Sequence, residues 1–235
     1  MSQLLCFEHR GAAGHAPENT LAAVEKAISL GADWVEVDVY AVEGELLVIH
    51  DDRLERTTNG VGYVAEQSLE YLRSLDAGNG EKIPFLWEVF EQVNRRTGVN
   101  VELKGPGTAA PVALLIDRWV KERGWRYEEF LVSSFDHHEL RAIKHLQPKL
   151  RTGALILALP LEYARFAEAL NAYSVHPGVE FLDRAFVEDA HRRGLKVFVY
   201  TVNRRQDLAR VIALGVDGVF TDYPEIVTSW GIGEG

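Results

Sequence analysis

The sequence predicts an α/β protein, a TIM (β/α)8 barrel with a small insertion after the second strand. Short β-type runs alternate with helical runs along most of the 235-residue chain, a pattern typical of βα units around a parallel sheet. Eight such units in this length match the size of one barrel domain. The stretch Ile28–Asp38 is echoed by Ile212–Asp222. Each copy contains a helix end, a glycine and a strand, which indicates repeated αβ units.

Each predicted strand is followed along the chain by a helix. The predicted strands are Leu4–Glu8, Trp34–Tyr40, Val99–Lys104, Phe130–Ser134, Arg151–Ile156, Ala172–His176, Lys196–Thr201 and Gly218–Thr221. The predicted helices are Glu18–Leu30, Leu86–Arg95, Ala109–Arg123, His137–Leu146, Leu161–Leu170, Arg184–Arg193, Arg205–Leu214 and Pro224–Trp230.

One segment breaks this alternation. Glu45–His50 has the pattern of a strand, but only the turn Val42–Gly44 separates it from the second predicted strand. A parallel neighbour needs a crossover of about a dozen residues, so this pair is predicted to be antiparallel. We therefore predict one barrel domain over residues 1–235, in which residues 43–84 form a small insertion subdomain over the active-site face.

Composition narrows the classes of function. The formal net charge of −10 disfavours binding to nucleic acid or to an anionic membrane surface. No apolar run is long enough for a membrane helix, and the first ten residues lack the features of a signal peptide. Cys6 is the single cysteine, so a disulfide framework is excluded. We expect a cytoplasmic protein without stable membrane association.

Acidic residues on two predicted strands indicate a metal site. Glu36 and Asp38 are two residues apart and share one face of the second strand, while valines occupy the other face. Glu102 and Lys104 have the same phase on the next barrel strand. Three carboxylates that converge inside a barrel favour one hard divalent cation, Ca²⁺ or Mg²⁺. The alternative is a salt-bridge network with Lys104 or Arg10.

Two histidines and an arginine are predicted to lie at the same end of the barrel as these acids. His9 and Arg10 end the first strand, at the face where barrels carry their catalytic groups. His50 ends the antiparallel insertion strand, and the hairpin can fold it back opposite His9. A histidine exchanges protons near neutral pH, and an arginine binds phosphate through paired hydrogen bonds. Asp222, after the last strand, is a candidate brace for a catalytic group, and Glu18 is interpreted as part of a helix cap.

An ordered series of motifs resembles the glycerophosphodiester phosphodiesterase family over nearly the whole chain. In order, the motifs are His9-Arg-Gly, Pro17-Glu-Asn-Thr, Glu36-Val-Asp, His50-Asp, Thr57-Thr-Asn-Gly, Glu102-Leu-Lys, Ser133-Ser-Phe, Thr201-Val-Asn and Gly218-Val-Phe-Thr-Asp-Tyr-Pro. That family is similar in fold to the phosphatidylinositol-specific phospholipases C. It has a TIM barrel with a small insertion after the second strand.

The resemblance implies a role for each residue. It assigns the divalent metal to Glu36, Asp38 and Glu102, acid–base catalysis to His9 and His50, and phosphate binding to Arg10 and Lys104. Tyr200 stands where the family often has tryptophan, and it is expected to wall the glycerol pocket.

The resemblance also implies the reaction, which is metal-dependent hydrolysis of a small glycerophosphodiester to sn-glycerol 3-phosphate and an alcohol. Which histidine is the base, whether water or a glycerol hydroxyl attacks, which alcohol is preferred and the oligomeric state all stay open. One alternative is a lysophospholipase D-type enzyme acting on lysolipids, which calls for exposed apolar lid residues that the sequence does not make evident. The other is a non-catalytic phosphate-binding barrel.

Overall fold

Eight parallel strands close on themselves in the computed structural model, which describes residues 4–230. The eight barrel strands are β1 (Leu5–Glu8), β2 (Trp34–Val42), β4 (Gly98–Leu103), β5 (Phe130–Ser134), β6 (Arg151–Ile156), β7 (Ser174–Pro177), β8 (Lys196–Val199) and β9 (Gly218–Thr221). They pair in chain order around the barrel, and β1 pairs with both β2 and β9 to close it. The predicted TIM barrel is confirmed.

Helices follow the strands as the alternation predicts. They are α1 (Leu21–Ser29), α2 (Leu69–Ser74), α3 (Leu86–Val93), α4 (Ala109–Glu122), α5 (His137–Leu146), α6 (Arg165–Ala169), α7 (Arg184–Arg192), α8 (Arg205–Leu214) and α9 (Glu225–Thr228). Two short 3-10 helices cover Val64–Glu66 and Tyr127–Glu129. Between residues 4 and 230, every helix is too short or too polar to cross a membrane.

Two helices begin at least three residues later than predicted. α1 starts at Leu21 because Asn19 has a left-handed backbone (φ 58°) and the Thr20 side chain caps the helix at Ala23 N. α6 starts at Arg165 because Tyr163 has a left-handed φ of 45°, which a continuous right-handed helix excludes.

The insertion after β2 begins as the sequence predicts. β3 (Glu45–Val48) pairs antiparallel with β2, with Val39 opposite Val48. Glu43 and Gly44 form the connecting turn with left-handed φ angles of 51° and 85°, the backbone that tight hairpins require. Residues 43–84 contribute most of a separate apolar cluster, which includes Leu47, Ile49, Leu54, Val64, Leu72, Leu75 and Ile83.

Aromatic side chains fill the barrel interior below the strand ends. Phe7, Phe198 and Phe220 are buried there with Leu131. The Phe7 ring lies 4.7 Å from that of Phe198 and 4.6 Å from that of Phe220, centroid to centroid. Such packing leaves little free volume, so it supports the polar side chains above it from beneath.

Glu8 is an exception to the apolar packing outside the barrel. Neither of its carboxyl oxygens has a hydrogen-bond partner within residues 4–230. Burial, and then the charge of Glu225, raise the pKa of Glu8 to about 8. The folded protein therefore keeps a proton here that the unfolded chain loses near pH 4.5.

We expect the substitution Glu8→Gln to remove this pH dependence. Because the folded state holds the extra proton between about pH 4.5 and pH 8, the stability contributed by Glu8 falls as pH rises through that window. The free energy of unfolding of E8Q, relative to wild type, should increase from pH 5 to pH 8, by up to about 1.4 kcal/mol for each pH unit. Urea unfolding at both pH values measures it, with E128Q on the exposed surface as control. An equal change in both variants would contradict the assignment.

Candidate active site

The three predicted metal-binding carboxylates meet at the C-terminal ends of β2 and β4. Asp38 lies directly opposite Glu102 in the strand register, and Glu36 is one step below on the same face. One carboxylate oxygen from each residue lies within 4.8 Å of the others, and all three side chains are buried. The structure therefore brings together the acids that the alternation of side chains predicted.

The donor set fits a hard cation. Glu36 Oε1 and Asp38 Oδ1 are buried without a hydrogen-bond partner in the described chain. Burial, and then the charges of Asp38 and Glu102, raise the pKa of Glu36 well above its usual value. The pKa of Glu102 is also raised, by burial and then by Asp38. Orphaned carboxylate oxygens that repel each other match the all-oxygen coordination of Ca²⁺ or Mg²⁺.

Arg10 and Lys104 border these acids. Lys104 Nζ donates to Glu102 Oε1 at 2.8 Å and lies 3.8 Å from Asp38 Oδ1. Arg10 Nε lies 3.7 Å from Asp38 Oδ2, and its backbone N–H donates to Glu36 Oε2 at 2.8 Å. Burial acts to lower the pKa of Lys104, but the charges of Glu102 and Asp38 outweigh it and raise that pKa. Both cations therefore stay charged beside the acids.

His9 is held by an aspartate. Its Nδ1 lies 2.7 Å from Asp222 Oδ1, the contact anticipated from the position of Asp222 after β9. Asn203 Nδ2 donates to the other Asp222 oxygen at 2.6 Å. The second ring nitrogen, Nε2, accepts from Arg10 Nε at 3.3 Å. This arrangement fixes the ring and directs Nε2 toward the site.

His50 has a matching partner. Its Nδ1 lies 2.5 Å from Asp51 Oδ1, and its Nε2 lies 3.2 Å from Lys104 Nζ. Burial lowers the pKa of His50, and the nearby charge of Asp38 only partly opposes that. The hairpin of β2 and β3 thus delivers a histidine from the insertion to the strand ends.

An ion-pair chain connects the two histidine regions, and most of it was not predicted. Glu18 accepts from Arg10 Nη1 at 2.7 Å and from both terminal nitrogens of Arg56 at 2.8 Å. Arg56 also donates to Asp51. The interpretation of Glu18-Asn19-Thr20 as a helix cap is correct for Thr20, which caps α1, whereas Glu18 itself forms these ion pairs. Thirty-eight residues separate Glu18 from Arg56, so no local pattern could have revealed this pair.

Asn19 is a second residue for which the sequence predicts no role in the site, although it lies in the motif Pro17-Glu-Asn-Thr. Its Nδ2 donates to Asp38 Oδ2 at 2.8 Å, and its Oδ1 accepts from the Asp38 backbone N–H at 3.1 Å. Both contacts depend on the left-handed backbone of Asn19 (φ 58°), a conformation that asparagine tolerates better than most residues.

Tyr200 lies on the other side of the barrel mouth from His50. It lines a small cavity of about 20 Å³ together with His9, Glu36, Glu102 and Ser133. The Tyr200 hydroxyl donates to Ile156 O at 3.0 Å, and burial raises its pKa. The Phe135 ring packs edge-on against it, 5.7 Å between centroids.

Exposed apolar side chains surround this side of the mouth, contrary to the impression from the sequence. We call them the apolar rim; they come from the loops after β5, β6 and β7 and are Phe135, Leu157, Leu159, Leu161 and Phe181. Leu161 is fully exposed. The rim could not be predicted from the sequence, because loop residues follow no regular pattern that indicates which side chains are exposed.

Comparison with known proteins identifies the family. The model of the glycerophosphoryl diester phosphodiesterase family matches residues 9–226. The chain belongs to this family. It is therefore an enzyme, a hydrolase of phosphoric diesters.

Relatives match over most of their length. A glycerophosphodiester phosphodiesterase of Caldanaerobacter subterraneus subsp. tengcongensis is 39% identical over 231 residues, which is 94% of this chain and 95% of that protein. An Oleispira antarctica phosphodiesterase, solved in complex with the product sn-glycerol-3-phosphate, is 33% identical with a TM-score of 0.87; the match covers 97% of this chain and 96% of that one. A human lysophospholipase D is 26% identical over 93% of this chain and 83% of its own.

The ion-pair chain yields a stability prediction. We expect Glu18→Gln to lower the free energy of unfolding by about 1–3 kcal/mol, because it leaves the largely buried Arg10 guanidinium and the more exposed Arg56 guanidinium without their shared carboxylate. Urea unfolding at pH 7 measures the loss. The matched control is Glu55→Gln, which weakens the exposed Arg53–Glu55 pair and should cost less. Equal losses in both variants would contradict a structural role for the chain.

Proposed function

We propose that the protein is a glycerophosphodiester phosphodiesterase that releases sn-glycerol 3-phosphate and an alcohol. The observation that carries the proposal is the buried triad of Glu36, Asp38 and Glu102, bordered by two cationic side chains and two aspartate-held histidines. The product seen with the Oleispira relative supports the same reaction for this chain.

Glu36, Asp38 and Glu102 would hold one divalent cation, Ca²⁺ or Mg²⁺. When bound, such an ion neutralises charge on the phosphate and lowers the pKa of the attacking hydroxyl. Support comes from the orphaned oxygens of Glu36 and Asp38, which no other described group satisfies.

Arg10 and Lys104 are proposed to bind the phosphate oxygens. Both remain cationic beside the acids, and Arg10 can offer two parallel N–H donors to one phosphate. Charge that develops on the phosphoryl oxygens is stabilised by donors already fixed in place. Tyr200, at the opposite side of the mouth, is proposed to wall the glycerol pocket.

His9 and His50 are proposed as the acid–base pair. His9 accepts the proton of the attacking hydroxyl, because Asp222 at 2.7 Å stabilises the imidazolium that forms. The oxygen of that hydroxyl bonds to phosphorus, the phosphorus–oxygen bond to the alcohol breaks, and a protonated His50 gives its proton to the departing oxygen. If the attacker is water, this step gives sn-glycerol 3-phosphate directly; if it is a glycerol hydroxyl, water then opens the resulting cyclic phosphate with the two histidine roles reversed. Lys104, 3.2 Å from His50 Nε2, disfavours a second positive charge and so promotes that donation. We also propose that residues 43–84 act as one subdomain that forms a wall of the site.

The proposal predicts metal-dependent release of sn-glycerol 3-phosphate from glycerophosphoglycerol. EDTA should abolish release, and either Ca²⁺ or Mg²⁺ should restore it. The reason is that the three carboxylates repel each other and need a bound cation to balance their charge. An enzyme-coupled assay for glycerol 3-phosphate measures the rate before chelation, after it and after add-back. Release that EDTA leaves unchanged would remove the metal from the proposal.

Three variants separate the histidine roles from the metal site. H9A and H50A should each lower kcat by at least about a hundredfold, while calorimetry with the restoring ion gives an unchanged dissociation constant. E36Q should lose ion binding and turnover together. Near-normal rates in both histidine variants would refute the two-histidine mechanism.

The apolar rim favours a second candidate function, lysophospholipase D-type hydrolysis of lysolipids. Phe135 joins the rim to the proposed phosphate site, since its ring lies 5.8 Å from Lys104 Nζ and contacts Tyr200. Apolar surface of this kind, next to a catalytic mouth, is suited to an acyl chain. The human relative bears the name of that activity.

The rim yields a substrate-preference prediction. If it binds an acyl chain, L161D combined with F181D should lower kcat/KM for a monomeric lysolipid about tenfold relative to its deacylated diester, because the charges oppose desolvation of the chain. Leu114 on α4 is exposed outside the rim, and L114D is the matched control. No lysolipid turnover by the wild type would exclude this second function.

A further inference from the structure

The outer wall of the barrel borders a cavity that is separate from the proposed active site. It has a volume of about 620 Å³, which is within the usual range for a small-molecule site. We call it the outer cavity. It lies between β1, the α1–β2 loop, the end of α8 and α9, and its lining includes Cys6, Glu8, Asp33, Ile212, Val227 and Trp230.

The outer cavity exists because the last barrel helix is short. In a TIM barrel the helices form a ring around the outer faces of the strands. α8 has ten residues and α1 has nine, whereas α9 has four and extends only about 6 Å. Phe7 fills the barrel interior, so its neighbours Cys6 and Glu8 point outward, toward the space that α9 is too short to fill.

Glu8 is the unsatisfied polar group of this cavity. The residue is fully buried, and neither of its carboxyl oxygens has a hydrogen-bond partner within residues 4–230. A buried polar group without a partner lowers the stability of the protein. A ligand that brings a hydrogen-bond donor to Glu8 therefore removes this cost when it binds.

The charges around the outer cavity determine the sign of such a ligand. Within residues 4–230, the charged residues that line the cavity are both acidic, Glu8 and Asp33. Asp33 Oδ2 accepts the Cys6 backbone N–H at 2.9 Å. After burial itself, the charges that act on the pKa of Glu8 are Glu225, which raises it, and Lys26, which opposes it less strongly. An anionic ligand is therefore repelled and a cation is attracted.

We propose that the outer cavity is a second ligand site, which binds a primary amine with an apolar body and pairs its ammonium group with Glu8. The inference does not rest on the proposed reaction. An ammonium N–H donates a charge-assisted hydrogen bond to a Glu8 oxygen, and the apolar body buries its surface against Ile212, Val227 and Trp230. A quaternary amine has no N–H to donate and an alcohol has no charge, so neither meets both requirements.

Formation of this ion pair requires an ionised Glu8. Because burial holds a proton on the free carboxyl up to about pH 8, the amine displaces that proton to solvent when it binds below this pH. Titrations at pH 8.5 reduce this competition, since Glu8 is then mostly ionised while a primary alkylamine is still mostly protonated.

Three probes that share a phenylethyl body test the ligand class. 2-Phenylethylamine, 2-phenylethanol and trimethyl(2-phenylethyl)ammonium chloride are each titrated into the wild-type protein at pH 8.5 and followed by NMR. We expect the dissociation constant of the primary amine to be at least about tenfold lower than that of either other probe. The indole N–H resonance of Trp230 should shift as the amine binds. Equal affinities for the three probes, or a Trp230 resonance that does not respond, would overturn the inference.

Two variants locate the bound amine. E8Q keeps the shape of the side chain but removes its charge, so it should weaken binding of the amine about tenfold and leave binding of 2-phenylethanol nearly unchanged. E36Q, inside the barrel in the acidic triad, is the matched control and should bind the amine as the wild type does. Binding that survives in E8Q but is lost in E36Q would place the amine at the active site and overturn the inference. The comparison of the three probes needs only the wild type, so it decides the inference even if E8Q does not fold.

Discussion

The mutual repulsion of Glu36, Asp38 and Glu102 is the constraint that organises the rest of the site. Three buried carboxylates within 4.8 Å are tolerated only with compensating charge and hydrogen bonds. The protein supplies part of that compensation, through Lys104, Arg10 and the Asn19 amide. Two oxygens still have no hydrogen-bond partner in the described chain, and that deficit supports the proposal that the site binds a cation. If every carboxylate oxygen of the triad had a hydrogen-bond partner, the protein would be more stable, but no oxygen would remain free to coordinate a cation.

The same electrostatic logic extends to the histidines. Each histidine has an aspartate at Nδ1 and a cationic side chain near Nε2. The aspartate at Nδ1 therefore fixes the orientation of each ring. The two pairs differ in origin: Asp222 follows a barrel strand, whereas Asp51 and Arg56 belong to the insertion. The insertion is thereby fastened to the barrel through Glu18. Movement of residues 43–84 would disturb His50 and Arg10 together, which would couple the proposed proton donor to the proposed phosphate contact.

Sequence periodicity could predict whatever is set by backbone alternation. Glu36 and Asp38 had to share a face, and the short turn before Glu45 had to make β3 antiparallel. It could not predict Glu18 with Arg56, since that contact depends on how the insertion folds back. Nor could it predict the short helix α2, whose six residues are too few to show a helical period. The apolar rim was missed for a related reason, because loop residues lack a regular pattern from which exposure can be inferred.

A phosphodiester with one negative charge approaches a protein whose net charge is −10, so long-range steering opposes the anion. Binding must then come from local contacts, and the mouth offers different ones on its two sides. Toward Tyr200 the surroundings are apolar, and toward Tyr40 they are aromatic and acidic. Arg10 and Lys104 are the proposed phosphate contacts, and both stay cationic because the charges of Asp38 and its acidic neighbours raise their pKa values. The acids that repel the substrate at long range therefore also maintain the two positive charges proposed to bind it at short range.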